Sequence, residues 1–301
     1  MTEEIFLRMD ESISQLLLLL EKEWKMLDEK YKNRQRVSDL KQGLVNKGGI
    51  LIPLSLVDHK ILFDGFEFTF FDVFTKFYKE IYKEKDNIFT EFAFRTLLEM
   101  GFYRSQIIYA NKLTKEEKNH FKLLIWLSDY ASIAIGNPKN LGYFQKLFAE
   151  FGNLLTRKEK VIMGDMKEIL TKQDSEKHDK AVEEMRKLIL PIQGSLYAKT
   201  ETLPIFRSRK IKTMYSAWSH ILHGNVLLLN DMFSDYGKGT RHKLRAHWFL
   251  LLTGLNTVTH VATFLNDQGL IDEVEEMTKK VKFIMDEVSM YWKQIEAKKW
   301  P

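Results

Sequence analysis

Two sets of polar residues sit on stretches of chain that are otherwise apolar, and their spacing sets the chemistry open to them. The first is Arg95 and Glu99, in a segment that carries Phe89, Phe92, Phe94, Leu97, Leu98, Phe102 and Ile107. A helix puts residues four apart on one face, where the two form an ion pair or where Glu99 serves as an orienting carboxylate or general base. Arg104 lies on the same stretch, and an unpaired buried charge costs several kcal/mol, so these groups need partners. The second set is Tyr215, Ser219 and His223, which a helix aligns as phenol, hydroxyl and imidazole along one face, with Asn225 just beyond. Histidine exchanges protons near neutral pH, and a serine one turn away can hold its ring. A nucleophilic triad also demands an oxyanion hole and an orienting acid from elsewhere, so the set reads better as a hydrogen-bonded network or small binding site than as a hydrolase.

Metal chemistry finds little support. His220 and His223 have a spacing one helix face can use, but no carboxylate nearby completes a ligand set. The chain has no cysteine, which removes thiolate zinc, disulfides and a thiol nucleophile together. No metal and no cofactor is expected.

The runs Phe94-Arg95-Thr96-Leu97-Leu98-Glu99 and Tyr215, Ser219, His223-Gly224-Asn225 resemble a bacterial all-helical family, a domain of unknown function. That family pairs an R-x-x-x-E helix with a later Y-x-x-x-S-x-x-x-H-G-N helix. The resemblance covers roughly residues 88–266. It implies that Arg95, Glu99, Ser219 and His223 converge, and it implies no activity. A looser similarity is carried by Arg241-His242-Lys243-Leu244-Arg245-Ala246-His247. An arginine and a histidine at this separation resemble the motif of the HEPN ribonucleases, helical proteins that cut RNA without metal across a dimer interface. That similarity implies that His247 handles the 2′-hydroxyl proton and that Arg241 stabilises the phosphorane charge; Tyr215, Asn225 and Arg245 are candidate binding residues.

The elements that must position these residues are helices. Only five prolines and fifteen glycines interrupt the chain, and apolar residues recur mostly at three- and four-residue spacings. A first helix runs from about Glu3 to Arg34, within an N-terminal segment 1–45, before Gly43, Gly48, Gly49 and Pro53 break the pattern. Between residues 60 and 70, Asp64-Gly65 followed by Phe66-Glu67-Phe68-Thr69-Phe70 alternates with period two and predicts a small β-hairpin. Further on, Thr114-Lys115-Glu116-Glu117 is a capping box and Asn137-Pro138 a helix start. Asp174-Ser175-Glu176 opens a helix that Pro191 closes. Helices at about Ser208 to Phe233, Arg241 to Asn266 and Ile271 to Lys299 complete an all-α, multi-helix bundle with one hairpin, taken as a single domain over residues 1–301.

Composition bounds the rest. Hydrophobic residues make up 45% and charged residues 29%, the balance of a chain that folds on its own. The 46 basic and 41 acidic residues leave a net charge of +5, a mild attraction to nucleic acid. The basic groups at Arg207–Lys212 and Lys238–Arg245 fall at opposite ends of two antiparallel helices, which disfavours one continuous phosphate-binding groove. The acidic start and the short run Leu16–Leu20 predict neither a signal peptide nor a span. Trp248–Leu265, broken by Thr253, Asn256, Thr257, Thr259 and His260, predicts a buried core helix. The expectation is a cytoplasmic helical protein, off the membrane, that acts through a protein partner, through self-association or on nucleic acid. A phage-defence or anti-defence role suits it by analogy. The alternative is a HEPN-like, metal-independent ribonuclease.

Overall fold

The computed structural model of the chain describes residues 2–32, 59–87, 90–109, 113–199, 230 and 240–297. Their regular structure is helical throughout: α1 Thr2–Lys32, α2 His59–Lys83, α3 Glu91–Leu98, a π turn Glu99–Arg104, and α4 Ser105–Ile108. There follow α5 Lys115–Ser132, α6 Pro138–Phe151, α7 Arg157–Lys172, α8 Ser175–Lys199, α9 Thr240–Leu265 and α10 Gln268–Ala297. The expected helix at 208–233 lies outside the described residues apart from residue 230. The chain divides into two compact units. The first holds α1 up to Asp28, α2 from Phe68, α3, the π turn, α4, α9 and α10. The second holds the start of α2 and α5 to α8.

The β-hairpin expected at 60–70 is not formed, because those residues are part of α2. Phe68, Phe71, Phe74, Tyr78 and Ile81 recur at helical spacing and are all buried, and Phe70 is buried as well. From Phe68 onward aromatic residues dominate the buried side of this helix, and a period-two alternation of aromatic residues in the sequence is a by-product of that density. Gly65 in a helix interior costs about 1 kcal/mol relative to alanine, which packing of this extent outweighs. A second difference concerns α8, which continues through Pro191 to Lys199.

In the first unit, α1 and α10 pair antiparallel. Six buried residues of α10, Leu270, Val274, Met277, Val281, Ile284 and Val288, alternate steps of four and three, the heptad signature of a helix–helix seam, and Met285 is buried beside them. The register on α1 is set by polar pairs: Arg8 with Glu287 at 2.7 Å, Gln15 with Lys280 at 3.0 Å, and Lys22 with Glu273. Each pair advances one heptad on both helices. Met9 and Leu16 fill one core row of α1, and the next residue of that row is Glu23, fully buried.

α9 crosses this unit, packing against α3, the π turn, α4 and α10. Lys243–Leu265 within it is the one described stretch long and apolar enough to cross a membrane, and 67% of its apolar window is buried inside the fold, as in a core helix. Gly254 is required on it. A Cβ there would lie 2.6 Å from the hydroxyl oxygen of Tyr78, which donates to the Leu250 carbonyl at 2.8 Å.

The second unit is built on α5, α6, α7 and α8, with Leu123, Leu127, Phe144, Leu147, Met166 and Met185 in its core. Its helix starts are chemically capped. Thr114 with Glu117 and Thr156 with Glu159 form reciprocal capping boxes, and Asn137 caps α6 ahead of Pro138. Glu67 of α2 and Lys122 of α5 form a buried ion pair, each about 5% exposed. The His178 ring nitrogen Nε2 donates to the Ala131 carbonyl at 2.8 Å, tying α8 to α5.

Candidate functional site

Arg95 and Glu99 come together as their spacing predicts. The Arg95 Nε donates to Glu99 Oε1 at 3.2 Å, with both side chains partly exposed. Glu99 is also where the helix changes pitch. The Ser105 N–H reaches back to the Met100 carbonyl, five residues away, which is π spacing. Such one-turn π insertions recur at functional sites. Here the neighbouring Gly101 carbonyl accepts three side-chain donors: Ser105 Oγ at 2.7 Å, Asn256 Nδ2 at 2.6 Å and Thr257 Oγ1 at 3.2 Å. A Cβ on Gly101 would meet the Thr253 carbonyl at 3.1 Å. The widened turn is therefore docked on α9 through the Gly101 carbonyl, with Glu99 as its first residue and Arg95 one turn before it.

Tyr215, Ser219, His223 and Asn225, the other half of the predicted network, lie outside the described residues. Of the basic group at the start of α9, Arg241 stands in the first turn. Arg245 lies deeper, and its Nε and Nη2 both donate to Glu91 Oε1 on α3, at 3.2 and 2.9 Å, with Glu91 only 1% exposed.

His247 is 2% exposed. Its Nδ1 lies 2.6 Å from the Lys243 carbonyl oxygen, and because a carbonyl only accepts, Nδ1 carries the proton of that bond. Its Nε2 faces Asp10 Oδ1 of α1 at 3.2 Å, within ion-pair distance but off hydrogen-bond geometry. The ring packs against Phe6 at a centroid distance of 5.4 Å. Asp10 also has Lys85 at 3.5 Å. The α9 entrance is thus a set of charges joined across α1, α3 and the end of α2.

Three groups that the spacing arguments did not single out take part in this chemistry. Asp10 and Glu91 pair with residues far along the chain, so no local pattern points to them. Glu23 did carry a signal, since it occupies the heptad row of Met9 and Leu16. Burial pushes its carboxyl well above the ordinary carboxylate range; the Ala262 amide pulls the other way and by less. Neither oxygen meets a donor in bonding geometry. Among the described residues no group of three or more histidines, aspartates or glutamates is close enough to hold a metal ion.

Comparison with protein families, with curated proteins and with solved structures finds no match to this chain. The fold and the polar groups of the described residues define an all-α protein with an ion pair at a π turn.

Proposed function

We propose that the chain is a helical binding protein that acts through a macromolecular partner and does not itself make or break bonds. The observation that carries this reading is the environment of His247. A general acid or base must come within hydrogen-bond reach of the proton it moves. In His247 one nitrogen is engaged by a backbone carbonyl, the other is turned towards Asp10, and the ring is covered by Phe6. Arg245, two residues earlier, has its guanidinium engaged by the buried Glu91. These contacts suit a structural clasp joining α1, α3 and α9. The Arg95–Glu99 pair, four residues apart on one helix face, supports the chain locally where it enters the π turn.

The competing reading is metal-independent RNA cleavage by Arg241 and His247. It is tested by incubating the purified full chain with single-stranded RNA in the presence of a chelator. The expected outcome is intact RNA, with His247→Ala lowering stability. Cleavage that persists with chelator and disappears in His247→Ala, the helical circular dichroism unchanged, overturns the binding reading. Should His247→Ala fail to fold, Arg241→Ala in the first turn of α9 carries the same test.

A further inference from the structure

We infer that the outer face of α1 is self-complementary and docks a second copy of the chain antiparallel, centred on Leu18. The inference rests on the binding reading, for which it names a partner. It starts from the heptad register. Outside the bridging row Arg8, Gln15 and Lys22, the next row of α1 reads Glu4, Glu11, Leu18 and Lys25 at seven-residue steps, and all four are exposed. Leu18 is 66% exposed, on a helix that buries Ile5, Met9, Ile13, Leu16, Leu20 and Leu27.

Glu11 and Lys25 are equally far from Leu18, about 10 Å on either side at 1.5 Å per residue. Neither makes an ion pair among the described residues. A two-fold axis through Leu18 lays Leu18 on the second copy's Leu18. It also brings each Glu11 onto the other copy's Lys25, giving two ion pairs around an apolar centre. A parallel arrangement would instead stack like charges, which excludes it. Two-fold self-contacts of this kind use one patch twice, and the row on α1 has the sign change that such use requires.

The structure also offers somewhere for the incoming leucine to go. Beside Leu18 runs a groove of about 420 Å³, with Leu19 and Met277 among its apolar walls and Lys22 and Glu276 on its rim. On α10 the row that contains Glu276 continues to Phe283 and Met290, which are 61% and 60% exposed. The face therefore extends across both helices of the pair. Of the seven large hydrophobic residues exposed among the described ones, Leu7, Leu18, Phe283 and Met290 lie on α1 and α10.

Sedimentation velocity on the full chain over a wide concentration range tests this directly. The wild type is expected to show the mass of two chains. Leu18→Glu, at an exposed position that leaves the fold alone, should sediment as one chain with unchanged circular dichroism. Glu11→Lys and Lys25→Glu should each weaken the dimer by about tenfold or more, and the double swap Glu11→Lys/Lys25→Glu should restore it, because both ion pairs are rebuilt with reversed sign. A single-chain mass for the wild type at every concentration overturns the inference. So does a dimer that is indifferent to Leu18→Glu and to the charge swaps. Either result leaves the binding reading standing with a different partner, whereas a dimer of the expected kind that also cuts RNA keeps this interface and removes that reading.

Discussion

Among the described glycines of the first unit, Gly254 leaves the least room for an added methyl group. The new methyl carbon would sit 2.6 Å from the Tyr78 hydroxyl oxygen and 3.0 Å from its Cζ. The tyrosine has no room to yield. It is fully buried, its hydroxyl is bonded to Leu250, and its ring packs on Phe74 at 5.8 Å. Overpacking costs about 1–3 kcal/mol, and loss of a buried hydrogen bond a further 1–3 kcal/mol or so. Against them stands a helix-propensity gain of about 1 kcal/mol for alanine over glycine. The net expectation is a destabilisation of about 1–5 kcal/mol, read by urea unfolding followed by circular dichroism. A double-mutant cycle identifies the cause. Tyr78→Phe removes the atom that makes the closest contact, so Gly254→Ala should cost at least about 1 kcal/mol less in that background. A Gly254→Ala protein as stable as wild type, or additive losses in the cycle, would refute the reasoning.

Glu23 predicts a pH dependence. Burial disfavours its ionised form in the fold, whereas the unfolded chain ionises it at ordinary carboxylate pH, so its contribution to stability is complete below that range and is lost as pH rises through its elevated folded pKa. Glu23→Gln should flatten this part of the stability–pH profile, and Glu23→Met, matching Met9 in the same heptad row, should stabilise the protein by about 1–3 kcal/mol at neutral pH; a profile identical to wild type in Glu23→Gln argues against a buried neutral acid. In the second unit, Lys122→Met alone should remove the direct ion pair of the buried Glu67, leaving it only the weaker field of Lys118, and cost about 3 kcal/mol, while Lys122→Met/Glu67→Leu should recover most of it. Equal losses in the single and double variants would mean that the two charges are not energetically coupled.

The fold class could be read from the sequence because it rests on periodicity, which every long helix here displays. Helix starts were readable where the capping groups are adjacent in sequence, as at Thr114, Asn137 and Asp174, whose side chain accepts from the Lys177 amide at 3.2 Å. The hairpin was misread because a short aromatic run satisfies period two and a buried helix at once, and length alone separates them. The π turn left no mark in composition. Its support comes from Asn256 and Thr257 on α9, far along the chain from Gly101. The Arg95–Glu99 pair was readable as a same-face spacing. The partners of Arg245 and His247, Glu91 and Asp10, were not, since ion pairs between distant helices follow from the packing and not from any local pattern.

The claim that His247 is a structural clasp is tested most directly by measuring exchange of its ring C2 hydrogen with deuterated water, residue by residue, by mass spectrometry on the native chain with and without RNA. Burial of the ring against Phe6, with Nδ1 held by the Lys243 carbonyl, predicts exchange far slower than for a free histidine and unaffected by RNA. Rapid exchange that RNA suppresses would show an accessible ring at a substrate site and contradict the account.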